Sequence, residues 1–159
     1  DTTDDVIIST KLDAKFIENG LKTPTTSVSV MVNEGRVLLI GVVRSIDKSR
    51  LAQDLAWKTI GAKEVITEIQ IDEKGLGVSD FTNPVKDTAI TTWLKTKLFF
   101  KQGMNQVNYK INTMKGTVYL FGIAKNEEEL HKVLSITSKT KGVKKVVNHI
   151  ILANDARRK

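Results

Sequence analysis

The chain has 159 residues, a net charge of +7 and no cysteine. That composition excludes disulfides and thiolate metal sites, and no apolar run approaches the roughly 18 residues that a membrane-spanning helix needs. The first residue is Asp1 rather than Met, so a segment carrying any targeting signal is expected upstream.

The first predicted element is a helix with Ile8, Leu12 and Phe16 on one apolar stripe. Asp4 or Asp5 reads as its N-cap. A strand follows, with Val28, Val30 and Val32 alternating. Asn33-Glu34-Gly35 supplies a turn into a second strand, Val37–Val43. The next helix starts near Ser45 with Asp47 in its first turn, and stops before Gly61, a residue suited to the left-handed position after a helix end. A third strand, Glu64–Ile71, closes the unit.

A linker at 73–84 contains Gly75, Gly77 and Pro84, and its Leu76, Val78 and Phe81 are available to tuck against a domain. The same order of elements then begins again. Ile90, Leu94 and Leu98 form the second stripe, with Asp87 or Thr88 as its cap. Val107, Tyr109 and Ile111 alternate, Met114-Lys115-Gly116 turns the chain, and Val118–Ala124 forms the next strand. A helix starts near Asn126 with Glu127, Glu128 and Glu129 in its first turn, stops before Gly142, and leads to the strand Lys144–Leu152.

This is a true duplication. Gly35-Arg36-Val37-Leu38-Leu39-Ile40-Gly41 recurs 81 residues later as Gly116-Thr117-Val118-Tyr119-Leu120-Phe121-Gly122, and Gly61 recurs as Gly142 at the same spacing. The repeat predicts two small α-β-β-α-β domains, at 5–72 and 85–152, each a mixed three-stranded sheet with two helices on one face. Units of this size have marginal cores alone, so the two are expected to pack on each other.

Charge divides unequally between the copies. Residues 5–72 hold nine basic and nine acidic residues, whereas residues 85–152 hold twelve lysines against Asp87, Glu127, Glu128 and Glu129. The whole excess therefore belongs to the second copy, which implies an anionic partner for that copy alone.

The Gly-x-Val-x-Leu-x-Gly strand, the segment Gly142-Val143-x-x-Val146-x-Asn148 and the element order resemble the BON domain, twice over. The first copy departs in carrying Ala62 where the motif has valine. The fold this implies is α+β: tandem αββαβ BON domains. The linker Gly75-Leu76-Gly77 and the helix start Ile90-Thr91-Thr92 are similar to the outer-membrane lipoprotein type of dual-BON protein. That resemblance implies a non-enzymatic periplasmic protein with a lipid anchor upstream of Asp1. Its second domain would bind anionic, phosphatidylglycerol-like phospholipid, support envelope integrity and belong to the stress response, with other envelope proteins as further partners. The other dual-BON type, a soluble, osmotically induced periplasmic chaperone or protein-interaction module, is the alternative.

Comparison of the copies nominates the site. Aligning the first helices places Trp93 where the first copy has Lys11, and Phe100 where it has Glu18. Trp93, Lys97 and Phe100 share a helix face, with Ile90, Lys95 and Lys101 beside it. Aromatics that reach the acyl boundary while lysines meet phosphates make an interfacial anchor; the competing reading packs Trp93 and Phe100 against the first domain or the linker. Lys139, Lys141, Lys144 and Lys145 cluster around Gly142 as secondary basic support, a pattern that also suits a helix C-terminus.

Trp57 reads as core or inter-domain packing. His131 and His149 have no carboxylate or second histidine at ligand spacing, so neither a metal nor another cofactor is expected. No phosphate loop, nucleophile elbow or dinucleotide fingerprint occurs, which argues against catalysis. Nucleic-acid binding is the rival that the charge suggests, but the strands are expected to show no paired exposed aromatics of an RNA platform.

Overall fold

The computed structural model describes residues 2–100 and 109–158, the side chains of Thr2, Phe99 and Phe100 excepted. Val107, Lys101 and the side chain of Phe100 therefore lie outside the described residues. The chain forms two compact units, residues 1–81 and 82–159.

In the first unit, α1 (Thr2–Glu18) precedes the hairpin β1 (Ser27–Asn33) and β2 (Arg36–Val43), then α2 (Ile46–Trp57) and β3 (Glu64–Ile71). β2 is central, antiparallel to β1 and parallel to β3. The α1 stripe of Ile8, Leu12 and Phe16 is buried in one cluster with Ala52 and Ala56 of α2 and with Val37, Leu39 and Val43 of β2. Alternate residues of a strand share a face, so both helices cover the same side of the sheet.

The second unit repeats this plan with α3 (Pro84–Phe100), β4 (Tyr109–Met114), β5 (Thr117–Ala124), α4 (Glu127–Lys139) and β6 (Lys145–Leu152). β5 is central, antiparallel to β4 and parallel to β6. Its core gathers Ile90, Leu94 and Leu98 of α3 with Val118, Leu120 and Ala124 of β5 and Val133 of α4. The mixed α+β architecture with paired helices is the one the repeat predicts.

Local chemistry explains the helix starts. Ser45 caps α2 by accepting from Lys48 N, and Asn126 caps α4 by accepting from Glu129 N. Glu129 returns the favour, its carboxylate accepting from Lys125 N. At α3 the structure corrects the sequence reading. The capping position belongs to Asn83, whose side-chain oxygen accepts from Lys86 N, with Pro84 as the first helical residue.

Asp5 and Asp87 lie inside their helices and are buried. Neither occupies the N-cap position; both hold the hairpins, and Asp87 also reaches back to the N-cap residue. The Asp5 carboxylate accepts from Glu34 N and Gly35 N at 2.8 and 2.9 Å. The Asp87 carboxylate accepts from Lys115 N and Gly116 N at 2.8 and 3.1 Å, and also from Asn83 N at 2.8 Å. Each hairpin turn has two consecutive left-handed residues, Glu34 and Gly35 at φ 50° and 78°, Lys115 and Gly116 at 48° and 83°. That conformation matches strand twist but strains a non-glycine residue, and the buried carboxylate stabilises it.

The glycines after the second helices, Gly61 and Gly142, are left-handed as expected but lie beyond the position next to the cap. α2 ends at Trp57 with Lys58 as cap, and α4 ends at Lys139 with Thr140 as cap. Gly142 thus lies two residues beyond its cap, at φ 93°, where an added Cβ would meet Ile90 Cδ1 at 3.2 Å. The left-handed backbone favours glycine there, and the close approach of Ile90 adds to the restriction.

Between β3 and α3, the Asp72 carboxylate accepts from Leu76 N and Gly77 N at 2.9 and 2.8 Å, and Val78 N donates to Pro24 O at 3.1 Å. The segment is therefore tied to the first unit; Val78 and Phe81 are half-buried while Leu76 is exposed. Trp57 is 55% exposed, which removes it from the core role that the sequence suggested.

Candidate functional site

Three segments of the second unit converge around the first half of α3. The Asp87 carboxylate draws the Lys115–Gly116 turn against the helix, and Gly142 brings the segment after α4 against Ile90. Between them lies an open groove of about 770 Å³. Ala89, Ile90 and Trp93 provide its apolar wall, and Lys86, Lys115, Lys141 and Lys144 stand around it. All four lysines are exposed.

Trp93 belongs both to this groove and to the outer face of α3. It is 52% exposed, and Lys97 Nζ sits 5.2 Å from the centroid of its ring, within cation–π range. Lys95 and Lys97 are exposed beside it. Ile90, one turn back, is buried at 7% exposure and anchors the wall to the core.

Of the basic cluster around Gly142, the groove takes Lys141 and Lys144, while Lys139 and Lys145 are exposed away from its lining. Two further lysines, Lys86 and Lys115, were not singled out from the sequence. The signal was available in the repeat, because they stand where the first copy has Asp4 and Glu34.

The first unit has a groove at the equivalent place, and its chemistry is opposite. It measures about 310 Å³ and is lined by Asp4, Asp5 and Glu34 together with Lys11 and Lys63. Ile7 occupies the place of Ala89, Lys11 that of Trp93 and Ile60 that of Lys141. One backbone plan therefore carries two surfaces, the second wider and much more basic. Asp87 lines this groove as Asp5 lines the first, each bound by the backbone N–H groups of its hairpin turn, so the charge difference arises at the other positions.

Among the described residues, no group of three or more His, Cys, Asp or Glu side chains could hold a metal ion, and no helix is long and apolar enough to cross a membrane. What the groove offers chemically is an array of fixed cations over an apolar wall, which suits an anion with a hydrophobic portion.

Comparison with known proteins agrees with this architecture. The model of the BON domain matches residues 4–73 and 86–154. The chain is 36% identical over 156 residues to an uncharacterized protein of the gshII 5' region of Anaplasma centrale, covering 98% of this chain and 99% of that one. It is 32% identical over 120 residues to the outer membrane lipoprotein DolP of Haemophilus influenzae, covering 76% of this chain and 60% of that protein. To the osmotically-inducible protein Y of Escherichia coli it is 27% identical over 148 residues, covering 92% and 72%. With both halves of the chain matched and both folded as αββαβ units, this protein belongs to the BON-domain family and carries two BON domains in tandem.

Proposed function

We propose that this protein is a non-catalytic binding module of the bacterial envelope whose second BON domain docks on an anionic phospholipid surface. One observation carries the reading: the exposed Trp93 stands beside Lys97 and in the wall of a groove ringed by Lys86, Lys115, Lys141 and Lys144, whereas the equivalent surface of the first unit has Asp4, Glu34 and Ile60 in place of Lys86, Lys115 and Lys141, and Lys11 in place of Trp93. An aromatic ring at the acyl boundary with ammonium groups at phosphate depth is the arrangement of an interfacial anchor. The first unit, with balanced charge, serves as scaffold.

The envelope setting draws support from the relatives, one of which is described as an outer membrane lipoprotein and another as osmotically inducible. A periplasmic location, attachment to the outer membrane by a lipid upstream of Asp1 and a contribution to its integrity belong to this proposal. Each lysine near an anionic surface contributes about 1 kcal/mol, and Trp93 contributes about 1.5–3 kcal/mol on insertion. Since association costs at least about 4 kcal/mol, docking by this face is weak and salt-sensitive, and an anchor makes it durable.

Vesicle flotation tests the reading. Vesicles rich in phosphatidylglycerol should carry the full chain upward at low salt, and phosphatidylcholine vesicles should not. Equal recovery with both would refute it. Duplex DNA is the second arm, because the net charge of +7 also suits a nucleic-acid partner; tighter binding to DNA than to anionic vesicles at matched salt would favour that partner instead.

A further inference from the structure

The groove is larger than surface docking requires. Insertion of Trp93 into a bilayer needs only an exposed ring, yet behind that ring lies a cavity of about 770 Å³ with an apolar wall, a volume in the range of small-molecule sites. We propose that the groove holds one molecule of a single-chain anionic amphiphile, of the lysophosphatidylglycerol class, with its phosphate among the lysines and the start of its acyl chain along Ala89, Ile90 and Trp93. This rests on the preceding reading for the choice of a lipid partner, and it adds a discrete ligand site to it.

The repeat shows which changes open the site. Replacing Ile7 by Ala89 removes side-chain bulk at the wall, and replacing Lys11 by Trp93 exchanges a charge for an aromatic face. Asp4 and Glu34 become Lys86 and Lys115, and Ile60 becomes Lys141. Greater width, the Trp93 ring and three of the four lysines thus fall on one surface, at positions where the first copy has other residues; Lys144 alone is matched there, by Lys63. A free phosphate would use the lysines and leave the wall uncovered. A neutral acyl compound would use the wall alone. An anionic amphiphile uses both.

The site also adjoins the proposed membrane face, because Trp93 forms part of both. Lys97 Nζ lies 5.2 Å from the centroid of the Trp93 ring.

The test uses the full chain with Trp57→Phe, so that Trp93 is the sole tryptophan reporter. Lysophosphatidylglycerol is titrated below its micelle concentration, beside lysophosphatidylcholine, inorganic phosphate and a short acidic peptide with apolar residues. A saturable 1:1 blue shift of Trp93 emission with lysophosphatidylglycerol, at least tenfold tighter than with any of the other probes, is the expected result. Ala89→Phe, which fills the wall from a helical position, should weaken that binding at least tenfold while the circular dichroism spectrum and melting temperature stay unchanged. No saturable binding of the monomeric lipid despite normal flotation would overturn the discrete site and leave surface docking standing. Preferential binding of the acidic peptide would overturn it in favour of a protein ligand, and loss of flotation by the parent chain would remove the docking proposal itself.

Discussion

The Asp87 carboxylate, in the first turns of α3, accepts a hydrogen bond from Gly116 N at the tip of the β4–β5 hairpin, 29 residues away in sequence. The same oxygen pair also receives Lys115 N and Asn83 N, so one buried side chain joins a helix start to a left-handed turn. Asp5 makes the corresponding bonds to Glu34 N and Gly35 N. Removing this acceptor leaves buried N–H groups unpaired, at a cost of about 1–3 kcal/mol. Asp87→Ala should therefore lower the stability of the second unit by that amount in chemical denaturation. Hydrogen exchange should show the Lys115 and Gly116 amides losing protection first.

The groove lysines are predicted to act additively and through charge. Converting the second rim to that of the first copy, with Lys86→Asp, Lys115→Glu and Lys141→Ile, should reduce affinity for phosphatidylglycerol vesicles roughly fivefold or more per lysine, from about 1 kcal/mol each. These side chains are exposed, so circular dichroism and the melting temperature should change little. Raising salt should shrink the difference between parent and variant, because the Debye length falls.

Trp93→Ala should weaken vesicle binding by about 10- to 100-fold, corresponding to loss of about 1.5–3 kcal/mol of apolar burial at the interface. With the ring 52% exposed in the free protein, the fold loses little packing. An unchanged circular dichroism spectrum beside lost flotation is the expected pair of results; a large drop in melting temperature would reassign the residue to structure.

Gly142→Ala should destabilise the second unit by about 1–2 kcal/mol, since the position has φ 93° and the new methyl carbon meets Ile90 Cδ1 at 3.2 Å. Gly61→Ala, at φ 97° with Ile8 Cδ1 at 3.0 Å, should act similarly on the first unit. Thermal unfolding of the two variants and their combination measures both costs. Only the change at Gly142 should also reduce lipid binding.

The loop after β3 should respond to acid. The N–H of Gly77, helped by that of Leu76 and by the Arg44 guanidinium, holds the Asp72 carboxyl below its ordinary value of 3.8. A carboxyl with a lowered folded pKa contributes stability that is present above the unfolded pKa and disappears as pH falls through the folded one. Protection of the Leu76 and Gly77 amides should thus persist at neutral pH and decline below about pH 4. Asp72→Asn should flatten that dependence.

Much of the fold was legible because it is periodic. The stripes Ile8-Leu12-Phe16 and Ile90-Leu94-Leu98 are buried as their spacing indicates, and the caps Ser45 and Asn126 act within three residues of themselves. Asp87 was misread because an acidic residue near a helix start has a local explanation, while two of its three partners, Lys115 N and Gly116 N, lie beyond an intervening strand. Trp57 was misread for a related reason. Large aromatic residues are usually packed, and nothing in the neighbouring sequence reveals that the end of α2 leaves this one more than half exposed.

The candidate site divides along the same line. Trp93, Lys97 and the basic excess of residues 85–152 emerge from comparing the copies, since helical spacing and charge are properties of the chain. The sequence by itself determined the duplication, the αββαβ order and the copy that carries the positive charge. Only the tertiary structure decided that Lys86, Lys115, Lys141 and Lys144 surround one groove with Trp93. Their assembly depends on a hairpin turn and a post-helical segment brought to α3 by Asp87 and Gly142. Contacts that far apart along the chain are set by backbone packing, which no local pattern of residues encodes.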